Sequence, residues 1–164
     1  MFSVGDMAVY PAHGVGVIEA EETKVIGGVE KTFYVMRILD NDMTVLIPKD
    51  NIDRIGLRSI ISKEEVEKVY EILKEKKVSF NHQTWNRRYR EYMEKIKSGS
   101  IFELAQVFRD LHIIGYDKQL SFGERRMLDT AKNLLIKELS LAEGKEEAEI
   151  EEKINAILAG RDGG

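Results

Sequence analysis

The sequence predicts an α+β chain: a small, strongly bent β domain over residues 1–58, followed by a compact all-α domain over residues 59–164. Three observations predict it. Short apolar runs separated by turn residues fill the first third of the chain. Both prolines, Pro11 and Pro48, lie in that part, and none follows Ser59. Three Ser-x-x-Glu segments, opening at Ser62, Ser100 and Ser121, mark helix starts. In each, the hydroxyl and the carboxylate satisfy amides that the first helical turn leaves without partners.

The strands come first. Val4-Gly5-Asp6 is a turn leading into Met7-Ala8-Val9-Tyr10. Pro11-Ala12-His13-Gly14 breaks that run, and Val15 to Ala20 forms a second strand. Gly27-Gly28, between Thr23-Lys24-Val25-Ile26 and the run Thr32 to Ile38, is a two-residue hairpin signal, because such turns need positive φ at both central residues. Asp40-Asn41-Asp42 turns the chain again, and Met43 to Ile47 is a further strand, closed by Pro48. Four or five short strands at this spacing predict a small sheet or barrel of Tudor or SH3-like type.

The composition changes near Leu57 to Ile61, which places the domain boundary there. Ser62 opens a helix with Val66, Val69, Tyr70, Ile72 and Leu73 on one face. Lys74 to His82 reads as a polar connection. A second helix runs from about Thr84 to Gly99, a third from Ser100 to about Gly115, and a long one from Ser121 with Met127, Leu128, Ala131, Leu134, Leu135, Ile136 and Leu139. Glu143 to Leu158 spaces Ala148, Ile150, Ile154, Ile157 and Leu158 helically above an acidic face.

Composition narrows the function classes. The absence of cysteine excludes disulfides, thiolate nucleophiles and zinc–thiolate sites. No apolar run approaches the roughly 20 residues that cross a bilayer, and the first residues lack the features of a secretory signal, so a cytoplasmic protein with no membrane partner is expected. His13, His82 and His112 are scattered without metal-ligand spacing, and structural roles are expected for all three. Gly14-Val15-Gly16 lacks the third glycine and the following helix of a dinucleotide fingerprint. No phosphate loop, nucleophile elbow or carboxylate couple stands out. The expectation is a protein that is not an enzyme and has neither cofactor nor metal.

The most informative stretch is Thr84-Trp85-Asn86-Arg87-Arg88-Tyr89-Arg90, which holds the only tryptophan. An apolar plane beside fixed cations suits nucleic acid, whose bases offer faces and whose phosphates offer charge. Periodicity points the other way: Tyr89, Tyr92, Met93 and Ile96 fall at helical spacings from Trp85, which is the stripe of a core anchor. From Gln83 to Lys97 there are five basic and two acidic residues, an excess of three within a chain of net charge -4 and pI about 5.5. Cations at a helix N-terminus do not complement the macrodipole and so need another purpose. Arg125 and Arg126 begin another helix and can join this patch; Arg109 and Lys132 are weaker candidates. Non-specific DNA affinity is mostly phosphate neutralisation, so an acidic chain relies on a local patch and on something that delivers it.

Several ordered motifs resemble one family. They are Val4-Gly5-Asp6 with Val9-Tyr10-Pro11 and His13-Gly14, then Gly56-Leu57-Arg58, Thr84-Trp85-Asn86-Arg87-Arg88-Tyr89, and Leu120-Ser121-Phe122-Gly123-Glu124-Arg125-Arg126-Met127-Leu128. Over nearly the whole chain these are similar to the CarD/CdnL family of bacterial transcription regulators, the CdnL branch most of all. The resemblance implies a Tudor-like domain over 1–58 that binds the RNA polymerase β subunit, and a helical domain over 59–164 that contacts promoter DNA, mainly without sequence specificity, at the upstream edge of the transcription bubble. Matched by motif, Trp85 is a wedge that stabilises the open complex, and Arg87, Arg88, Arg90 and Arg125 contact phosphate or groove. The polymerase surface falls on an edge strand, at Thr44, Leu46, Ile47 and Pro48, with Lys24 and Met36 nearby. A monomer that reaches the nucleoid through polymerase is expected. Two other readings stay open: an adaptor whose sheet binds a peptide with no DNA role, and a stand-alone DNA-binding module, which the acidic pI disfavours.

Overall fold

The computed structural model describes residues 2–75, 85–117 and 119–162, and for residues 85, 86, 116, 117, 161 and 162 the backbone only. The polar connection read over Lys74 to His82 lies largely outside these residues, as does His82. The chain forms two compact units, Met1–Ile60 and Ile61–Gly164.

The first unit is one antiparallel sheet of five strands: β1 (Met7–Tyr10), β2 (Gly14–Ile26), β3 (Val29–Ile38), β4 (Thr44–Pro48) and β5 (Arg58–Ser59), in the order β4-β3-β2-β1-β5. The two segments read as Val15–Ala20 and Thr23–Ile26 are one strand. A register shift between Ile18 and Ala20 lets β2 bend without ending, as a bulge does. Gly27 and Gly28 sit at φ 59° and 80°, the pair of positive values the tight hairpin requires. Three short elements were not legible in the sequence: a single 3-10 turn at Lys49–Asn51, the four-residue helix α1 (Ile52–Ile55), and β5, whose pairing of Ser59 with Ala8 carries the sheet past residue 58.

One face of the sheet is dry. Alternation along β3 buries Tyr34, Met36 and Ile38, which pack with Ala8, Ile18, Ile47 and Leu57. The Tyr34 hydroxyl donates to the Phe2 carbonyl at 2.8 Å, so the one polar atom of that core ring has a partner.

The second unit is helical: α2 (Lys63–Lys74), α3 (Trp85–Lys97), α4 (Ile101–Asp117), α5 (Phe122–Glu143) and α6 (Glu147–Asp162). Two of the three capping boxes close in both directions, Ser62 with Glu65 and Ser121 with Glu124. At the third, Ser100 Oγ accepts from the Glu103 amide at 3.4 Å, but the Ser100 amide donates to Ser98 Oγ at 3.2 Å. The last helix begins later than the apolar spacing suggests. Gly144, at φ 67°, ends α5 in the left-handed conformation, and α6 starts three residues on.

α4 packs against α2, α3 and α5, and α6 covers α2 and α5. The core runs from Val69, Tyr70 and Leu73 through Leu104, Phe108 and Leu111 to Leu135 and Leu139. α3 joins it through Tyr92 and Ile96. Glu138, itself buried, accepts from the Ile61 amide at 3.0 Å and so fixes the first residue of this unit.

Candidate functional site

Two surfaces gather the residues singled out above, one in each unit. In the first, β4 is an edge strand. Ile38 donates its amide to the Met43 carbonyl at 2.8 Å. From that bond and the register Met36↔Val45 and Tyr34↔Ile47, the alternation of an antiparallel ladder makes these the hydrogen-bonded pairs. Thr44, Leu46 and Pro48 face β3 at the alternate pairs, so their main-chain groups point to the side on which no strand pairs. Pro48 has no amide there to leave unsatisfied, which is why an edge accepts it. Leu46 is 45% exposed and Thr44 is exposed.

Burial bears on two of the residues expected at the polymerase surface. Met36 is 0% exposed and Ile47 is 1% exposed; both side chains belong to the core face of the sheet. Neither can offer a side chain to a partner, and Ile47 spends its main chain on β3. Lys24 is exposed, with its ammonium 4.0 Å from Glu22, on a two-stranded ribbon that neither β1 nor β4 reaches. Exposed Val25, Ile26 and Val29 form the tip of that ribbon. They were missed, although three apolar residues around a Gly-Gly turn are a legible signal.

In the helical unit the N-terminal ends of α3 and α5 meet. Arg88 Nη2 lies 3.8 Å from Glu124 Oε2, with the two side chains 20% and 6% exposed. Arg88, expected to contact phosphate or groove, turns inward to a buried carboxylate, because it lies four and eight residues before Tyr92 and Ile96 on the inward line of α3. Arg87, Arg90, Arg125 and Arg126 are exposed, and no ion pair among the described residues holds them. Tyr89 is also exposed. Phe122, the first residue of α5, is 80% exposed, more than any other large apolar side chain among the described residues. It was missed, yet the box Ser121–Glu124 fixes it in the first turn, out of phase with Met127 and Ala131. Trp85 opens α3, and its side chain lies outside the described part.

The weaker candidates are structural. Arg109 is buried, pairs with Glu75 and Asp110, and donates to the Ile72 carbonyl at 3.3 Å, closing the end of α2. Lys132 pairs with Glu151 at 2.8 Å. Behind the Arg88–Glu124 pair, burial and the nearby Asp110 carboxylate push the Tyr92 hydroxyl up to about 12, against a smaller opposing pull from Arg88. Burial also raises Asp110, partly offset by Arg109. Among the described residues no cluster of His, Asp or Glu could hold a metal ion, and no helix is long and apolar enough to cross a membrane.

Comparisons with known proteins agree on one assignment. Residues 2–61 match the CarD-like/TRCF RID domain, and residues 68–155 match the CarD C-terminal domain. YdeB of Bacillus subtilis (strain 168), provisionally named a transcription factor, is 37% identical over 150 residues, which is 92% of this chain and 97% of that protein. Among solved structures, the CdnL N-terminal domain of Myxococcus xanthus is 44% identical, covering 38% of this chain and 89% of its own, with a TM-score of 0.34. The 72-residue N-terminal domain of CarD from the same organism is 34% identical, covering 36% and 79%, with a TM-score of 0.32. With both domain models matched in order and a relative of almost equal length, the chain belongs to the CarD/CdnL family.

Proposed function

We propose that this chain is a non-catalytic transcription regulator that grips the RNA polymerase β subunit through the first unit and stabilises the open promoter complex through the second. Family membership supports a transcription factor that interacts with polymerase. The observation that favours the DNA role is the exposed set Arg87, Arg90, Phe122, Arg125 and Arg126 around the meeting ends of α3 and α5, in a chain of net charge -4.

The first unit provides the grip. The outward main-chain groups of Thr44 and Leu46 accept a partner strand that ends at Pro48, with Leu46 as an apolar contact that would otherwise be wasted in water. Lys24 and the apolar ribbon tip extend this surface. The second unit provides the discrimination. Its cations meet phosphates at the upstream bubble edge, and Trp85 wedges at the junction. Inserting an apolar wedge into intact duplex costs a few kcal/mol of unstacking, whereas an opened junction has already lost that stacking. The wedge therefore binds the open state better than the closed one, and only such a difference shifts an equilibrium. Tethering through polymerase raises the local concentration of the patch, so weak intrinsic DNA affinity suffices and bulk DNA is not a competitor.

Reversing the charge of two exposed cations, Arg87→Glu with Arg90→Glu, tests the DNA role. Polymerase should still co-purify with the variant, while the open-complex lifetime falls by tenfold or more. An adaptor without a DNA role would show wild-type lifetimes.

A further inference from the structure

We propose that Arg88 is a positioning residue: through Glu124 it sets the spacing between the cations that begin α3 and the aromatic and basic residues that begin α5. The inference rests on the reading of these two helix ends as a DNA-facing surface. It reassigns one arginine of a row of three by geometry. Arg87 and Arg90 are exposed, but Arg88 is drawn to a carboxylate that is almost wholly buried.

That carboxylate has two tasks. Its Oε1 accepts the Ser121 amide at 3.0 Å, while the Glu124 amide donates to Ser121 Oγ at 3.2 Å, which closes the start of α5. Its Oε2 faces Arg88. A single side chain thus couples the cap of one helix to the first turn of another. The rest of α3 is seated through Tyr92 and Ile96 on α4. Arg88 is consequently a tie between the start of α3 and the turn that carries Phe122, Arg125 and Arg126. Losing the Arg88 charge removes an opposite charge from beside a nearly buried carboxylate, which is unfavourable.

Positioning and direct contact predict opposite results for Glu124→Gln. Glutamine serves as well as glutamate in a capping box, so α5 keeps its cap. If Arg88 contacted phosphate, removing its internal competitor would free it and lengthen the open complex. If Arg88 positions α3, the same change loosens the surface.

The experiment uses the full chain with polymerase holoenzyme on one promoter and reads two quantities, open-complex lifetime and amide hydrogen exchange of Tyr89 to Met93. Arg88→Gln and Glu124→Gln should each speed that exchange, leave α2 and α6 unaltered, and shorten the lifetime on the order of fivefold, the low end of coupling between linked sites. The double variant should be no worse than either single one. Should Arg88→Gln unfold the unit, Arg88→Lys, which keeps the charge but loses the guanidinium fork, reads the same quantities. Unchanged exchange in both single variants overturns the proposal, as does a Glu124→Gln lifetime equal to or longer than wild type beside a shortened Arg88→Gln lifetime. If Arg87→Glu with Arg90→Glu also leaves the lifetime unaltered, the DNA-facing reading fails, and exchange alone then decides whether Arg88 positions α3.

Discussion

Gly16 has no room for a side chain. A Cβ there would lie 2.6 Å from Met36 Cε and 2.8 Å from the Arg37 carbonyl oxygen, and the second of these is backbone that cannot step aside. Gly16→Ala should therefore destabilise the first unit by about 1–3 kcal/mol, read as a lower midpoint of thermal or denaturant unfolding. Met36 lies between Tyr34 and Ile38 in the period of two, and Arg37 fixes the outward phase, so the burial of Met36 was legible. Arg88 is the converse case. Three arginines within four positions look alike in sequence, and only the inward line of Tyr92 and Ile96, with a carboxylate from a helix more than thirty residues on, separates the second from its neighbours.

At the level of elements, turn and cap chemistry made most boundaries legible. The Gly27-Gly28 hairpin, the Ser62 and Ser121 boxes and the limits of β1 follow from local rules. What stayed hidden depends on partners distant in sequence or on very short segments: the two-residue β5, which exists because Ala8 and Val9 need a neighbour, and the four-residue α1. The edge of β4 makes a prediction of its own. The Leu46 amide points away from β3, so Leu46→Pro removes a donor from the open side and leaves the β3–β4 ladder in place. This variant should stay folded and lose polymerase β in a pull-down. Val45→Pro, one residue earlier, removes a ladder bond and should lower the unfolding midpoint as well. A folded Leu46→Pro protein that still captures polymerase would show that main-chain pairing along β4 is not the grip.

For the molecule as a whole, the proposed division of labour reconciles an acidic chain with a role on DNA. On that reading attachment is assigned to a sheet edge and the cations that meet phosphate to two helix ends, and a net charge of -4 keeps affinity for bulk nucleic acid low. In the proposed mechanism Trp85 favours open over closed promoter once the chain is held on polymerase. Its most direct test is the lifetime of the open complex on one promoter with wild-type and Trp85→Ala protein, beside a polymerase pull-down and an unfolding curve. Trp85→Ala should capture polymerase normally and keep the unfolding midpoint, while the lifetime drops about tenfold, which corresponds to roughly 1.4 kcal/mol of open-state preference. An unchanged lifetime, or a helical unit that unfolds when the tryptophan is removed, would contradict it and make Trp85 a core anchor.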